Sequence, residues 1–127
     1  MSTVLVIGAS RGIGLEFVRQ YREAGRRVIA TVRDADGRAR VQALGAETLT
    51  VDVANPASVS GLAWQLDGEK IDLALYVAGV LRRPNAFTPP TRDDFDAVMH
   101  TNVLGAMQTL PQVAPLVAEA RGVFAFL

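Results

Sequence analysis

Residues 4–14 read VLVIGASRGIG. Four apolar side chains, Val4 to Ile7, run into Gly8, and Gly12 and Gly14 follow before an amphipathic stretch begins. An apolar run closed by glycine predicts a buried strand, and the 3.6-residue periodicity beyond it predicts a helix. A strand that turns directly into a helix commits the chain to a strand–helix–strand unit, with parallel strands joined by a right-handed crossover. The glycine spacing, G-x-x-x-G-x-G, also has a chemical reading. Gly8 permits a tight turn, Gly12 lets a pyrophosphate approach the backbone, and Gly14 lets the helix pack against the sheet. The helix amino terminus then offers N–H donors and partial positive charge to phosphate. Glycines also serve ordinary strand-to-helix turns; the strand before and the helix after favour the dinucleotide reading.

The same alternation continues to the end of the chain. The helix over GIGLEFVRQYREAG should place Ile13, Phe17, Val18 and Tyr21 on one face and stop at Gly25. RRVIATVR is a second strand, and a short helix around GRARVQAL ends at Gly45. AETLTVDV is a third strand. Asn55 followed by Pro56 is a helix start, a capping side chain before a proline at the first helical position. That helix is expected to bury Val59, Leu62, Ala63 and Leu66. IDLALYVAG is the fourth strand, and RRPNAFTPP a proline-rich loop. Thr91 with Asp94 three later opens a long helix through Phe95, Val98, Met99, Val103 and Met107, which Pro111 and Pro115 should bend or end. After Gly122, VFAFL reads as a buried fifth strand. Near-continuous apolar strands between helices predict an α/β fold, a doubly wound parallel sheet of Rossmann type. The expected order is 3-2-1-4-5, with the ligand crevice at the carboxyl ends of strands one and four. Residues 1–127 form one domain.

Composition narrows the chemistry. Thirteen basic and thirteen acidic residues are mixed along the chain, which leaves no electrostatic footprint for nucleic acid. There is no cysteine and a single histidine, His100, so thiolate chemistry is absent and no metal site is expected. LALYVAGVL is among the longest apolar runs, well short of a membrane span, and VLVIG lacks the length and basic flank of a signal peptide. A cytoplasmic protein without membrane attachment is expected.

With these motifs in place, the sequence resembles the short-chain dehydrogenase/reductase family along essentially its whole length. VLVIGASRGIG is similar to that family's cofactor loop, which implies cofactor contacts from Gly8, Ser10, Arg11, Gly12, Ile13 and Gly14. VDV is similar to the segment that holds the adenine, implying Asp52 and the backbone of Val53. YVAG stands where the family usually has Asn-Asn-Ala-Gly, implying that Ala78 and Gly79 pass close to the nicotinamide ribose. Tyr76 and Val77 replace the two asparagines, and Tyr76 reads as a core aromatic at a strand end. MHTNVLG resembles the helix that carries a catalytic asparagine, here Asn102. VIATVRD, LGAETLTVDV and YVAGV look closest to the C-factor and Sniffer-like carbonyl-reductase branch.

Cofactor choice turns on the end of strand two, where an acid selects NAD(H) and a base accommodates the extra phosphate of NADP(H). Arg33 stands there and Arg11 lies in the glycine loop. Two guanidinium groups near one ribose suit an anion between them, so NADP(H) is expected. Asp34, next to Arg33, keeps NAD(H) open. The family's reaction is hydride transfer between nicotinamide and a carbonyl or alcohol, with a Tyr-x-x-x-Lys pair moving the proton and a serine orienting substrate. Tyr21 is followed four residues on by Gly25, and Tyr76 by Val80, so that pair is absent. The resemblance therefore implies a chain that stops after strand five, with Asn102 alone of the catalytic set. It would be the cofactor-binding portion of an NADP(H)-dependent oxidoreductase, acting on a small carbonyl substrate only when completed by the missing segment. A stand-alone dinucleotide-binding regulatory or pseudoenzyme module is the alternative. The VFAFL edge and the long helix should be apolar and uncovered, predicting a homodimer through either.

Overall fold

The computed structural model describes residues 2–82 and 85–127; Arg83 and Pro84, in the expected proline-rich loop, lie outside the described residues. The elements alternate β1 (Thr3–Ile7), α1 (Gly12–Glu23), β2 (Arg27–Val32), α2 (Ala35–Ala43) and β3 (Glu47–Thr50). There follow α3 (Pro56–Ser60), α4 (Leu62–Gln65), β4 (Leu73–Tyr76), α5 (Arg92–Met99), a π turn (His100–Leu104), α6 (Gly105–Glu119) and β5 (Val123–Phe126). All five strands are parallel, in the order β3-β2-β1-β4-β5, as the sequence predicts. The chain leaves β1 toward β2 and β3 on one side and returns past it to β4 on the other. That reversal opens a crevice at the carboxyl ends of β1 and β4.

Two apolar layers sandwich the sheet, and the two-residue period of a strand sorts its side chains between them. Leu5 and Ile7 of β1 join Leu62, Leu66, Tyr76, Val113 and Val117 on the α3, α4 and α6 side. Val4 and Val6 join Val18, Val28, Val32 and Val41 beneath α1 and α2. Each of these fully buried aliphatic side chains stabilises the fold by roughly 1.5–3 kcal/mol. At the amino-terminal end of the sheet, opposite the crevice, Arg27 bridges Glu47 at 2.6 Å and Glu69 at 2.5 Å, which ties β2, β3 and the approach to β4 together.

Several local expectations need correction. Ile13 is 65% exposed, because the first turn of α1 overhangs the crevice rather than the sheet. Asn55 does cap its helix, accepting from the Ala57 amide at 3.1 Å, but the helix breaks at Gly61 into α3 and α4. The break turns Ala63 to solvent beside the sole tryptophan, Trp64, which is 82% exposed. Thr91 caps α5 as expected, accepting from the Asp94 amide at 3.1 Å. Pro111 and Pro115 do not end α6. They stand four residues apart on its solvent face, where water can satisfy the carbonyls they leave without donors, while Gly105, Thr109, Val113 and Val117 are buried on the other face. The Thr109 hydroxyl is buried without a partner among the described residues. VFAFL does form β5, but as a half-open edge strand: Val123 is 59% and Phe126 49% exposed. Met107, at 66%, and Val103, at 42%, are bare on the long helix.

Candidate functional site

The crevice is built from the loop after β1 upward. Gly8 has φ +92°, and a Cβ there would fall 2.5 Å from the Ala78 backbone, so only glycine lets the ends of β1 and β4 lie side by side. Thr31 of β2 holds this loop from the other flank. Its hydroxyl accepts from the Gly8 amide at 3.0 Å and its carbonyl from the Ala9 amide at 2.9 Å. A Cβ on Gly14 would lie 2.0 Å from the Gly8 carbonyl oxygen, so α1 is seated directly on the loop. The first residue flanking α1 is Arg11, whose side chain makes no capping hydrogen bond. The first-turn amides of α1 are thereby left to an external acceptor. A Cβ on Gly12 would meet nothing within 4 Å, which is the open approach that a phosphate needs.

Every residue expected at a cofactor lines this one crevice. Gly8, Ser10, Arg11, Gly12, Ile13 and Gly14 form the floor and one wall, and Arg33, Asp52 and Val53 a second. Ala78 and Gly79 close the β4 side. Among the described residues neither Arg11 nor Arg33 makes an ion pair. Asp34, the acid that would favour the other cofactor, is engaged elsewhere: its carboxylate accepts from the Gly37 amide at 2.8 Å and caps α2. The carboxylate of Asp52 accepts from the Ala54 amide at 3.0 Å, which folds the turn after β3.

Asn102 does not line the crevice but braces its wall. Its side-chain oxygen accepts from the Val80 amide at 2.8 Å and its nitrogen donates to the Val80 carbonyl at 3.0 Å. Tyr76 is 2% exposed, in the core as its strand-end position predicts, and its hydroxyl donates to the Thr101 carbonyl at 2.7 Å. Burial pushes the Tyr76 phenol up to about 12. His100 is exposed on the helix, its Nδ1 2.6 Å from the Asp96 carbonyl oxygen.

The sequence reading missed Thr31, Val51, Val77, Val80 and Thr101 on the crevice walls. It also missed Arg40, whose Nε donates to the Ser10 carbonyl at 2.8 Å and pins the glycine loop to α2. Thr31 carried a usable signal, since it pairs in register with Ile7 and so stands beside the loop. Arg40 carried none, because its partner lies thirty residues away. Among the described residues no cluster of acidic or histidine side chains could hold a metal ion.

Comparison with known proteins gives consistent results. A family profile described as short chain dehydrogenase matches residues 2–125. The chain is 37% identical over 125 residues to 1-hydroxy-2-glutathionyl-2-methyl-3-butene dehydrogenase of Rhodococcus sp. (strain AD45), covering 94% of this chain and 53% of that one. It is 31% identical over 121 residues to the NADPH-dependent pterin aldehyde reductase of Arabidopsis thaliana, covering 90% and 50%. A Burkholderia multivorans structure described as a short-chain dehydrogenase/reductase with bound NADP superposes with a TM-score of 0.84 at 27% identity, over 99% of this chain and 58% of that one. The chain thus spans about half the length of the curated relatives it matches.

Proposed function

Because the chain belongs to the short-chain dehydrogenase family, we propose that its crevice binds NADP(H), as the cofactor-binding portion of an oxidoreductase that moves hydride to and from a carbonyl or alcohol. The observation that carries this reading is the convergence of Arg11 and Arg33 on one crevice while Asp34 is occupied as a helix cap. Arg11 and Arg33 would take the phosphate on the adenine ribose, and the uncapped amides of α1 the pyrophosphate. Asp52 and the Val53 backbone would border the adenine, and Ala78 and Gly79 the nicotinamide ribose. The NADPH dependence of the Arabidopsis relative and the NADP in the Burkholderia structure support the choice. When bound, the nicotinamide supplies or accepts the hydride. Asn102 serves by holding Val80, and with it the wall beside the nicotinamide.

Within these residues no tyrosine has a lysine four positions on, which favours binding without turnover by this chain alone and keeps a stand-alone dinucleotide-binding module as the second reading. The phrases VIATVRD, LGAETLTVDV and YVAGV support a place near the C-factor and Sniffer-like carbonyl reductases. We propose a cytoplasmic protein; no helix among the described residues is long and apolar enough to cross a membrane. We also propose a homodimer, in which the exposed Phe126, Val103 and Met107 would be covered by a second copy.

Calorimetric titration tests the cofactor. NADPH should bind more tightly than NADH, and Arg33→Ala should weaken NADPH while sparing NADH. Equal affinity of the wild-type chain for the two would refute the role given to Arg11 and Arg33.

A further inference from the structure

A π turn interrupts the long helix at His100–Leu104. Within it the Gly105 amide donates to the His100 carbonyl, five residues back, and not to Thr101, four back. The Thr101 carbonyl has therefore lost the donor that a regular α-helix would give it, at a site covered by β4. A half-buried carbonyl without a donor is costly, so such a turn persists only where something else supplies one. The Tyr76 hydroxyl does so at 2.7 Å. Its room is made by Gly105, where a Cβ would lie 2.6 Å from the Tyr76 oxygen. One residue along, the Asn102 side chain clasps both the amide and the carbonyl of Val80. Thr101 and Val80 both line the crevice, on the side of Ala78 and Gly79.

We propose that the Tyr76 hydroxyl is a positioning residue for the β4 wall of the crevice: it holds the π turn in register, so that Asn102 meets Val80 and the nicotinamide half of the site keeps its shape. The proposal rests on the cofactor reading above. The arrangement is a two-point clamp, with Tyr76 reaching from strand to helix and Asn102 from helix to strand. Without the hydroxyl the Thr101 carbonyl is left without a donor and the π turn slackens, while α6 beyond it keeps its seat through the buried Val113 and Val117. Asn102 would then leave Val80. The adenine half, built on Arg11, Arg33 and Asp52, lies on other elements and would not feel the change.

The test compares two probes, NADPH and 2′,5′-ADP, which reaches only the adenine half. Tyr76→Phe should weaken NADPH by about five- to tenfold, within what the loss of one buried hydrogen bond allows, and leave 2′,5′-ADP within twofold of wild type. Amide exchange of Val80 and Gly105, followed without cofactor, should quicken in the same variant. Asn102→Ala, which opens the clamp at its other end, should reproduce both effects and keeps the proposal open to refutation if Tyr76→Phe fails to fold. Equal losses for the two probes, or unchanged Val80 exchange, would overturn the proposal. A wild-type chain that binds neither probe would instead defeat the cofactor reading, with the exchange measurement still judging the clamp.

Discussion

Gly14→Ala adds one methyl group at the tightest helix–loop contact in the fold. The new Cβ would sit 2.0 Å from the Gly8 carbonyl oxygen and 2.9 Å from the carbonyl carbon, where ordinary contact begins at 3.4 Å. Both obstacles are backbone, so no side chain can swing aside, and α1 must withdraw by more than an ångström. Its middle is held by Val18, which is completely buried, so the helix pivots there and its first turn lifts from the crevice. Overpacking of this kind costs about 1–3 kcal/mol, and the better helix propensity of alanine returns less than about 1 kcal/mol at a first-turn position. The net loss is about 1–2 kcal/mol, which in urea, with a slope of about 1–3 kcal/mol per molar, lowers the midpoint by roughly 1 M. Gly12→Ala is the control. There a Cβ meets nothing within 4 Å and only the backbone angle, φ +58°, opposes it. Its cost is about 1 kcal/mol, and α1 keeps its seat. Far-ultraviolet circular dichroism during urea unfolding reads both. The reasoning fails if Gly14→Ala unfolds with the wild type, or if Gly12→Ala proves the more damaging of the two.

The raised phenol of Tyr76 links stability to alkaline pH. Because the folded value, about 12, exceeds the unfolded value of 10.0, stability should be intact below pH 10 and should fall as pH rises toward 12, by about 2–3 kcal/mol, and Tyr76→Phe should flatten that decline in denaturant midpoints. Thr109→Val should raise the thermal midpoint, since it replaces a partnerless buried hydroxyl by a methyl of nearly the same size at a gain of about 1 kcal/mol; a lower midpoint would show that the hydroxyl is satisfied. Sedimentation of the wild-type chain should show a dimer that Phe126→Asp dissociates, whereas a monomer at high concentration in both would refute the second-copy interface.

The parts of this fold that a sequence shows well are those fixed by near neighbours. The β1 run, the three glycines, the Asn55 and Thr91 caps and the strand order all come from spacing within a few residues or from the handedness of crossovers. All eleven residues assigned to the cofactor fall on one crevice because a parallel sheet gathers the ends of its strands. The hidden parts depend on distant partners or on competing local forces. Ile13 fits the apolar face of a helix, yet α1 begins beyond the edge of the sheet it covers. Ala63 fits the next turn of α3, but Gly61 breaks the turn first. Pro111 and Pro115 stop a helix only where their freed carbonyls cannot reach water, and the pattern around them does not say which face that is. Asp34 caps α2 through the Gly37 amide only three residues on, a near-neighbour signal like those of Asn55 and Thr91, but a helix expected around GRARVQAL leaves Asp34 outside it.

Trp64 has a practical bearing on all such measurements. An indole so open to water in the native state emits much as it would in the unfolded chain, and it does not line the crevice. Its fluorescence should therefore change little on denaturation or on addition of nucleotide. A flat emission trace from this protein would describe the setting of one side chain, with the core melting or the crevice filling unseen beneath it. An optical report from the interior requires the fluorophore to be moved there, as by joining Trp64→Phe with Phe124→Trp.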